Sequence, residues 1–143
     1  MKIKQISVFL ENKEGRLKNA LSALAGQNIN IRALSIADSE KYGILRLIVN
    51  DNEKAKAALE AENLIVKETE VIVVGVPDEP NGLNNILEIL EEDNINVEYI
   101  YAFVSTKADE AIVVMKIEDA EKGLKVLKAA NATILTRDDI NNL

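Results

Sequence analysis

Residues 17–31, LKNALSALAGQNINI, and residues 83–97, LNNILEILEEDNINV, carry one pattern twice. In the first, Leu17, Ala20, Leu21, Leu24 and Ala25 recur at i, i+3, i+4, i+7 and i+8. In the second, Leu83, Ile86, Leu87 and Leu90 do the same, so each stretch opens with a helix bearing one apolar stripe. Both helices end near an Asn, Asn28 or Asn94, and pass into Asn30-Ile31 or Asn96-Val97. The copies are offset by 66 residues. Downstream the offset becomes 68, because the second copy has two extra residues in a hairpin: Val49-Asn50-Asp51 then matches Ile117-Glu118-Asp119, Glu53-Lys54 matches Glu121-Lys122, Leu59 meets Leu127 and Asn63 meets Asn131. A repeat covering nearly the whole chain means that one structural unit is duplicated, and the unit has to be read first.

Each copy has the same element order. Residues 5–10 alternate, with Ile6, Val8 and Leu10 on one face, and Val71–Val76 is the fully apolar counterpart, so both are first strands. Ile29–Ala37 and Ile95–Val104 read as second strands and Ile44–Val49 and Ala111–Ile117 as third strands, joined by the polar connectors Asp38–Gly43 and Ser105–Asp109. Asp51 and Asp119 are placed as N-caps of second helices that run to Asn63 and Asn131, and a short last strand closes each unit. The chain is therefore expected to be α+β: two ferredoxin-like β-α-β-β-α-β modules, each a two-layer α/β sandwich of four antiparallel strands covered on one face by two helices. Residues 1–69 form the first module and 70–143 the second, whose tail from Arg137 adds a helical turn after Thr136. Only Glu68-Thr69-Glu70 separates the copies, with no Gly/Pro-rich linker, which predicts modules packed side by side.

Composition removes most chemistry. The 143 residues include no Cys and no His, which excludes disulfide scaffolds, zinc and iron–sulfur sites, Cys nucleophiles and every Ser-His-Asp arrangement. No apolar run is long enough to span a membrane and no signal-like segment opens the chain, so a cytoplasmic protein without membrane attachment is expected. Seventeen basic against 24 acidic residues leave a net charge of −7, and aromatics are 3%, both unfavourable to nucleic-acid binding. The charge is uneven: residues 1–70 hold 11 Lys/Arg and 10 Asp/Glu, residues 71–143 hold 6 and 14. Asp38, Glu40, Asp109 and Glu110 lie in hairpins without metal-ligand spacing, and neither a metal nor a cofactor is expected.

The distinctive stretch of each copy joins its first strand to its first helix: Glu11-Asn12-Lys13-Glu14-Gly15-Arg16-Leu17 and Pro77-Asp78-Glu79-Pro80-Asn81-Gly82-Leu83. Backbone N–H groups at a helix N-terminus favour a carboxylate or phosphate, and the Asn12 or Asp78 side chain beside them offers oxygen to an ammonium. That combination suits a zwitterion such as a free α-amino acid. The same residues also serve as turn and cap chemistry: Gly15 supplies a positive φ, and Asn28, Asn30, Asn94 and Asn96 close helices and open strands. Tyr99, Tyr101 and Phe103 alternate on one face of a second strand, as core, interface or pocket lining, and Glu91-Glu92-Asp93 reads as solvated helix surface.

On these residues the chain resembles the ACT-domain family, here as a tandem pair over almost its whole length. The carriers are an Asn/Asp-x-Pro-Gly-x-Leu loop, seen approximately in Asn12–Leu17 and Asp78–Leu83, and the later Asn30-Ile31 and Asn96-Val97. The resemblance implies modules that bind effector amino acids at their interface, the loop of one working with the second-strand Asn of its neighbour. It picks Asn12 and Gly15 with Asn96, and Asp78 and Asn81 with Asn30, within a wider set of Lys13, Glu14, Arg16, Leu17, Ile31, Pro80, Gly82, Leu83 and Val97. Two departures stand out: Glu14 replaces the usual Pro, and Asn81 takes the Gly position with Gly82 following it.

The expected function is a non-catalytic sensor of free amino acids that regulates amino-acid metabolism, with homodimerisation as its extension. The alternative is a regulatory subunit that docks onto a separate biosynthetic enzyme. An acylphosphatase-like enzyme would need a phosphate loop that Arg16 and Asn30 imitate only superficially, and RNA binding by the sheet is opposed by the charge.

Overall fold

A computed structural model describes residues 2–38, 41–104 and 109–143 of the chain, without the Asp38 side chain. Glu40 and most of the Ser105–Asp109 connector therefore lie outside the described residues. The chain divides into two compact units: Lys4–Thr69, and Glu70–Leu143 together with the start of the chain up to Ile3.

The first unit contains β1 (Ile3–Glu11), α1 (Arg16–Gly26), β2 (Ile31–Asp38), β3 (Tyr42–Val49), α2 (Asn52–Ala61) and the opening of β4 (Ile65–Pro77). Antiparallel pairing runs β2-β3-β1, with Ser7 opposite Arg46 and Arg46 opposite Ser35. Ile6, Val8 and Leu10 face Ala20, Leu24, Ala55 and Leu59 of the two helices, all buried. The second unit takes the rest of β4, then α3 (Gly82–Glu92), β5 (Val97–Ala102), β6 (Glu110–Ile117), α4 (Ala120–Ala129), β7 (Thr133–Ile134) and α5 (Arg137–Asn141). Its strands are ordered β7-β4-β6-β5, and Ile72, Val74 and Val76 meet Ile86, Leu90 and Leu127. Both units are the expected β-α-β-β-α-β fold.

Four helix ends use one device. After α1, α2, α3 and α4 stand Asn28, Asn63, Asn94 and Asn131, each with φ between 55° and 62°. In each case the Asn N–H reaches back three residues and the following N–H five, as in Asn28 N–H to the Ala25 carbonyl (3.0 Å) and Ile29 N–H to that of Leu24 (3.1 Å). These are Schellman ends, and Asn tolerates the left-handed residue they require. Asp51 and Asp119 cap α2 and α4, accepting from the Lys54 and Lys122 N–H groups at 3.1 Å. Thr136 and Asp139 form a capping box on α5, the expected turn of the tail.

As the missing linker implies, the closing strand of the first copy runs directly into the opening strand of the second, as one β4 of 13 residues. Two details differ from expectation. The apolar stripes begin late: Leu17 and Leu83 are 36% and 37% exposed, and the first buried side chains are Ala20 and Ile86. Finally, burial extends to the face of the second sheet opposite α3 and α4, where Val71, Val73, Ile112 and Val114 are buried.

Candidate functional site

The two loops share a hydrogen-bond scheme although their sequences differ. Asn12 N–H donates to the Lys41 carbonyl (2.9 Å) and Asp78 N–H to that of Asp109 (2.8 Å), tying each loop to its own hairpin. Lys13 N–H and Glu79 N–H then donate to Glu11 and Pro77, and Arg16 N–H and Gly82 N–H to Lys13 and Glu79, which makes two tight turns in succession. The residue before each helix is left-handed: Gly15 at φ 80° and Asn81 at φ 70°. Asn81 thus performs the Gly role. Gly82 is needed for another reason, since a Cβ there would run into the Pro77 carbonyl.

The left-handed N-caps have a consequence for the helix ends. Side chains cap α2, α4 and α5, but neither Gly15 nor Asn81 caps the helix it precedes. The Asn81 amide is occupied along α3 instead, donating to Asn85 Oδ1 (2.8 Å) and accepting from Asn84 Nδ2 (2.9 Å). With the Arg16 and Gly82 N–H groups held in the loop turns, the next N–H groups, of Leu17 and Lys18 and of Leu83 and Asn84, carry no cap from the residue before the helix, an arrangement suited to a small anion.

Charge separates the loops. Lys13 Nζ pairs with Glu11 Oε2 at 3.0 Å; that hydrogen bond, the Lys13 charge and the Arg16 charge hold the Glu11 carboxyl below the usual carboxylate range. Arg16 forms no ion pair among the described residues and is the first loop's available cation. The second loop offers Asp78 and Glu79, exposed, and no basic residue.

Asn30 and Asn96 are exposed at the far ends of α1 and α3 from these loops, roughly 16 Å away along an 11-residue helix. Each lies in a hollow: one of about 490 Å³ lined by Ala25, Asn28, Ile29, Asn30 and Asn50, the other of about 230 Å³ that includes Asn96, Asp119 and Lys122. Asn30 and Asn50 exchange bonds, Asn30 N–H to Asn50 Oδ1 (3.0 Å) and Asn50 N–H to the Asn30 carbonyl (3.3 Å). Ile31 and Val97 turn their side chains onto the helix-covered cores, so only their backbones remain for a ligand. Within a unit, loop and Asn are not brought together.

Sequence reading missed a cleft of about 410 Å³ beside the first loop, lined by Phe9, Glu11, Arg16, Tyr42, Glu62, Asn63, Leu64 and Ile65. The signal lay in the repeat itself, where large side chains of one copy face small or polar ones in the other. Tyr99 and Tyr101, by contrast, stack at 6.5 Å, half-buried, with Tyr101 opposite Val114 and Phe103 buried. Among the described residues no acidic cluster fits a metal ion, and no helix is long and apolar enough to cross a membrane.

A duplicated β-α-β-β-α-β unit, with the same loop geometry in both copies, defines a tandem ferredoxin-like class of fold. The family described as ACT domain pair matches residues 1–143, and the chain belongs to it. A solved protein from Bacteroides thetaiotaomicron is 37% identical, with TM-score 0.93 over 100% of this chain and 98% of that one. The regulatory subunit of aspartate kinase from Thermus thermophilus shares the fold at 20% identity, TM-score 0.61, over 89% and 91% of the two chains. That from Thermus flavus does so at 19% identity and TM-score 0.61, over 90% of each. No curated protein matches the chain.

Proposed function

We propose that this protein is a non-catalytic cytoplasmic sensor that binds free amino acids and regulates amino-acid metabolism. The observation that carries the reading is the pair of left-handed, uncapped helix starts in a chain of the ACT domain pair family. Uncapped N–H groups receive the α-carboxylate, and Asn12 or Asp78 receives the α-ammonium. Because each loop lies a helix length from the Asn of its own module, the reading assigns Asn96 to the first loop and Asn30 to the second, as the family resemblance implies. A thermal-shift screen of the twenty amino acids tests it. At 100 times its dissociation constant a ligand adds about 2.7 kcal/mol, on the order of 5–10 °C for a protein of this size. No response to any amino acid sinks the reading.

A second reading, a subunit that docks onto a separate biosynthetic enzyme, is favoured by the Thermus proteins, which are described as regulatory subunits of aspartate kinase. At that identity the likeness is one of fold. Co-purification with a catalytic subunit at fixed stoichiometry is the result it requires. Either reading fits a homodimer, for which sedimentation at micromolar concentration should return twice the 15.7 kDa chain mass; a monomer counts against it.

A further inference from the structure

The cleft beside the first loop has a construction that the duplicated copy lacks. Three of its lining side chains are large, apolar in body and open to solvent: Phe9 at 41%, Tyr42 at 58% and Ile65 at 68% exposure. Leu64, half-buried against the helix-covered core, also lines it. Leaving such surface grouped in water forgoes burial free energy, and a grouped apolar wall in a concavity marks a binding surface. Its volume of about 410 Å³ falls in the small-ligand range of roughly 300–1,000 Å³.

Polar groups stand at the same cleft in complementary charge. Arg16 and Glu62 both line it, and neither forms an ion pair among the described residues. Glu11, the remaining carboxylate, is already held by Lys13 at 3.0 Å. One available cation and one available anion beside an apolar wall match an α-carboxylate, an α-ammonium and an uncharged side chain.

The repeat supplies an internal comparison. At the offsets of the duplication, Phe9, Arg16, Tyr42, Glu62, Leu64 and Ile65 correspond to Gly75, Gly82, Glu110, Ala130, Ala132 and Thr133. The wall and the Arg16–Glu62 complement are both missing there. What remains of the space is filled: a Cβ on Gly75 would lie 2.7 Å from Glu110 Oε2 and 3.4 Å from the Thr133 methyl.

We propose that this cleft is a further site, present in the first unit and missing from the second, that binds an L-amino acid with an apolar side chain, its carboxylate on Arg16, its ammonium on Glu62 and its side chain against Phe9, Tyr42, Leu64 and Ile65. The proposal rests on the amino-acid-sensor reading and adds the ligand class and a stoichiometry of one per chain at this site. Calorimetry on the full chain tests it with L-leucine and L-phenylalanine against L-aspartate and L-lysine, on the wild type and on Arg16→Gln, Tyr42→Ala and Ile65→Ser. All three positions are exposed, and circular dichroism verifies that the variants fold. Leucine or phenylalanine should fill this cleft once per chain, as one class of site that the three substitutions weaken. Arg16→Gln should weaken it roughly 10- to 100-fold through loss of a charged hydrogen bond, and Ile65→Ser and Tyr42→Ala by about 10-fold through lost apolar contact. Tightest binding of aspartate or lysine overturns the ligand class. Amino-acid binding that all three substitutions leave unchanged overturns the cleft while the sensor reading stands. Absence of binding by any amino acid overturns both.

Discussion

Gly82 and Gly26 show how differently one residue type is used in this chain. Gly82 sits where a Cβ would strike the Pro77 carbonyl, whereas Gly26, at the end of α1, has nothing within 4 Å of a Cβ. Gly82→Ala should therefore destabilise by about 1–3 kcal/mol, and Gly26→Ala should be neutral or add up to about 1 kcal/mol; chemical denaturation measures both. Charge at the loops makes a second residue-scale prediction, that the two proposed sites are unequal. Asn12 stands beside Lys13 and Arg16, Asp78 beside Glu79 with no cation. In ligand titrations Asn12→Ala and Asp78→Ala should weaken binding by different factors, with Asn30→Ala and Asn96→Ala each acting on the opposite module's site. Isotherms that all four substitutions leave unchanged from the wild type would move the ligand elsewhere. The Gly15 and Asn81 positions were legible in the sequence because few residues accept a left-handed backbone, so a Gly or Asn before an apolar helical run says much. The Gly82 clash was not legible, since it depends on where a carbonyl five residues earlier comes to lie.

Helix ends decide where the elements stop. Asp51 and Asp119 each satisfy an otherwise orphaned N–H, and Asp51→Ala or Asp119→Ala should cost about 1 kcal/mol, read from denaturation midpoints at unchanged slope. Strand faces were harder to read. In β5, Val97 pairs with Ile117 and Tyr99 with Lys116, a bulge that inserts Glu98; β2 has the same shift between Ile31 and Ala33. Strict alternation would put Val97 and Tyr99 on one face. The bulge turns Val97 onto the helix-covered core and the two tyrosines onto the other side, and no residue type marks it, because it follows from register against β6.

At the scale of the molecule, the unit boundary at Thr69/Glu70 falls inside β4, and Lys2 binds Glu70 (3.1 Å) and Glu121 (3.6 Å) within the second unit. Fragments 1–69 and 70–143 expressed separately should therefore lack cooperative unfolding by circular dichroism, because each loses part of a strand. The copies have also diverged on the sheet faces opposite their first and second helices. The row Ser7, Arg46, Ser35 corresponds to Val73, Val114, Tyr101, so duplication preserved the helix-covered cores and freed the other face to change. The sequence by itself determined the duplication, the element order and the caps, because periodicity, Asn and Gly placement and N-cap chemistry act over a few residues. Only the tertiary structure decided the faces taken by Tyr99 and Tyr101, and the cleft of Phe9, Arg16, Tyr42, Glu62 and Ile65. Those depend on residues far apart in the chain, whose meeting is set by strand register and helix packing and leaves no local mark.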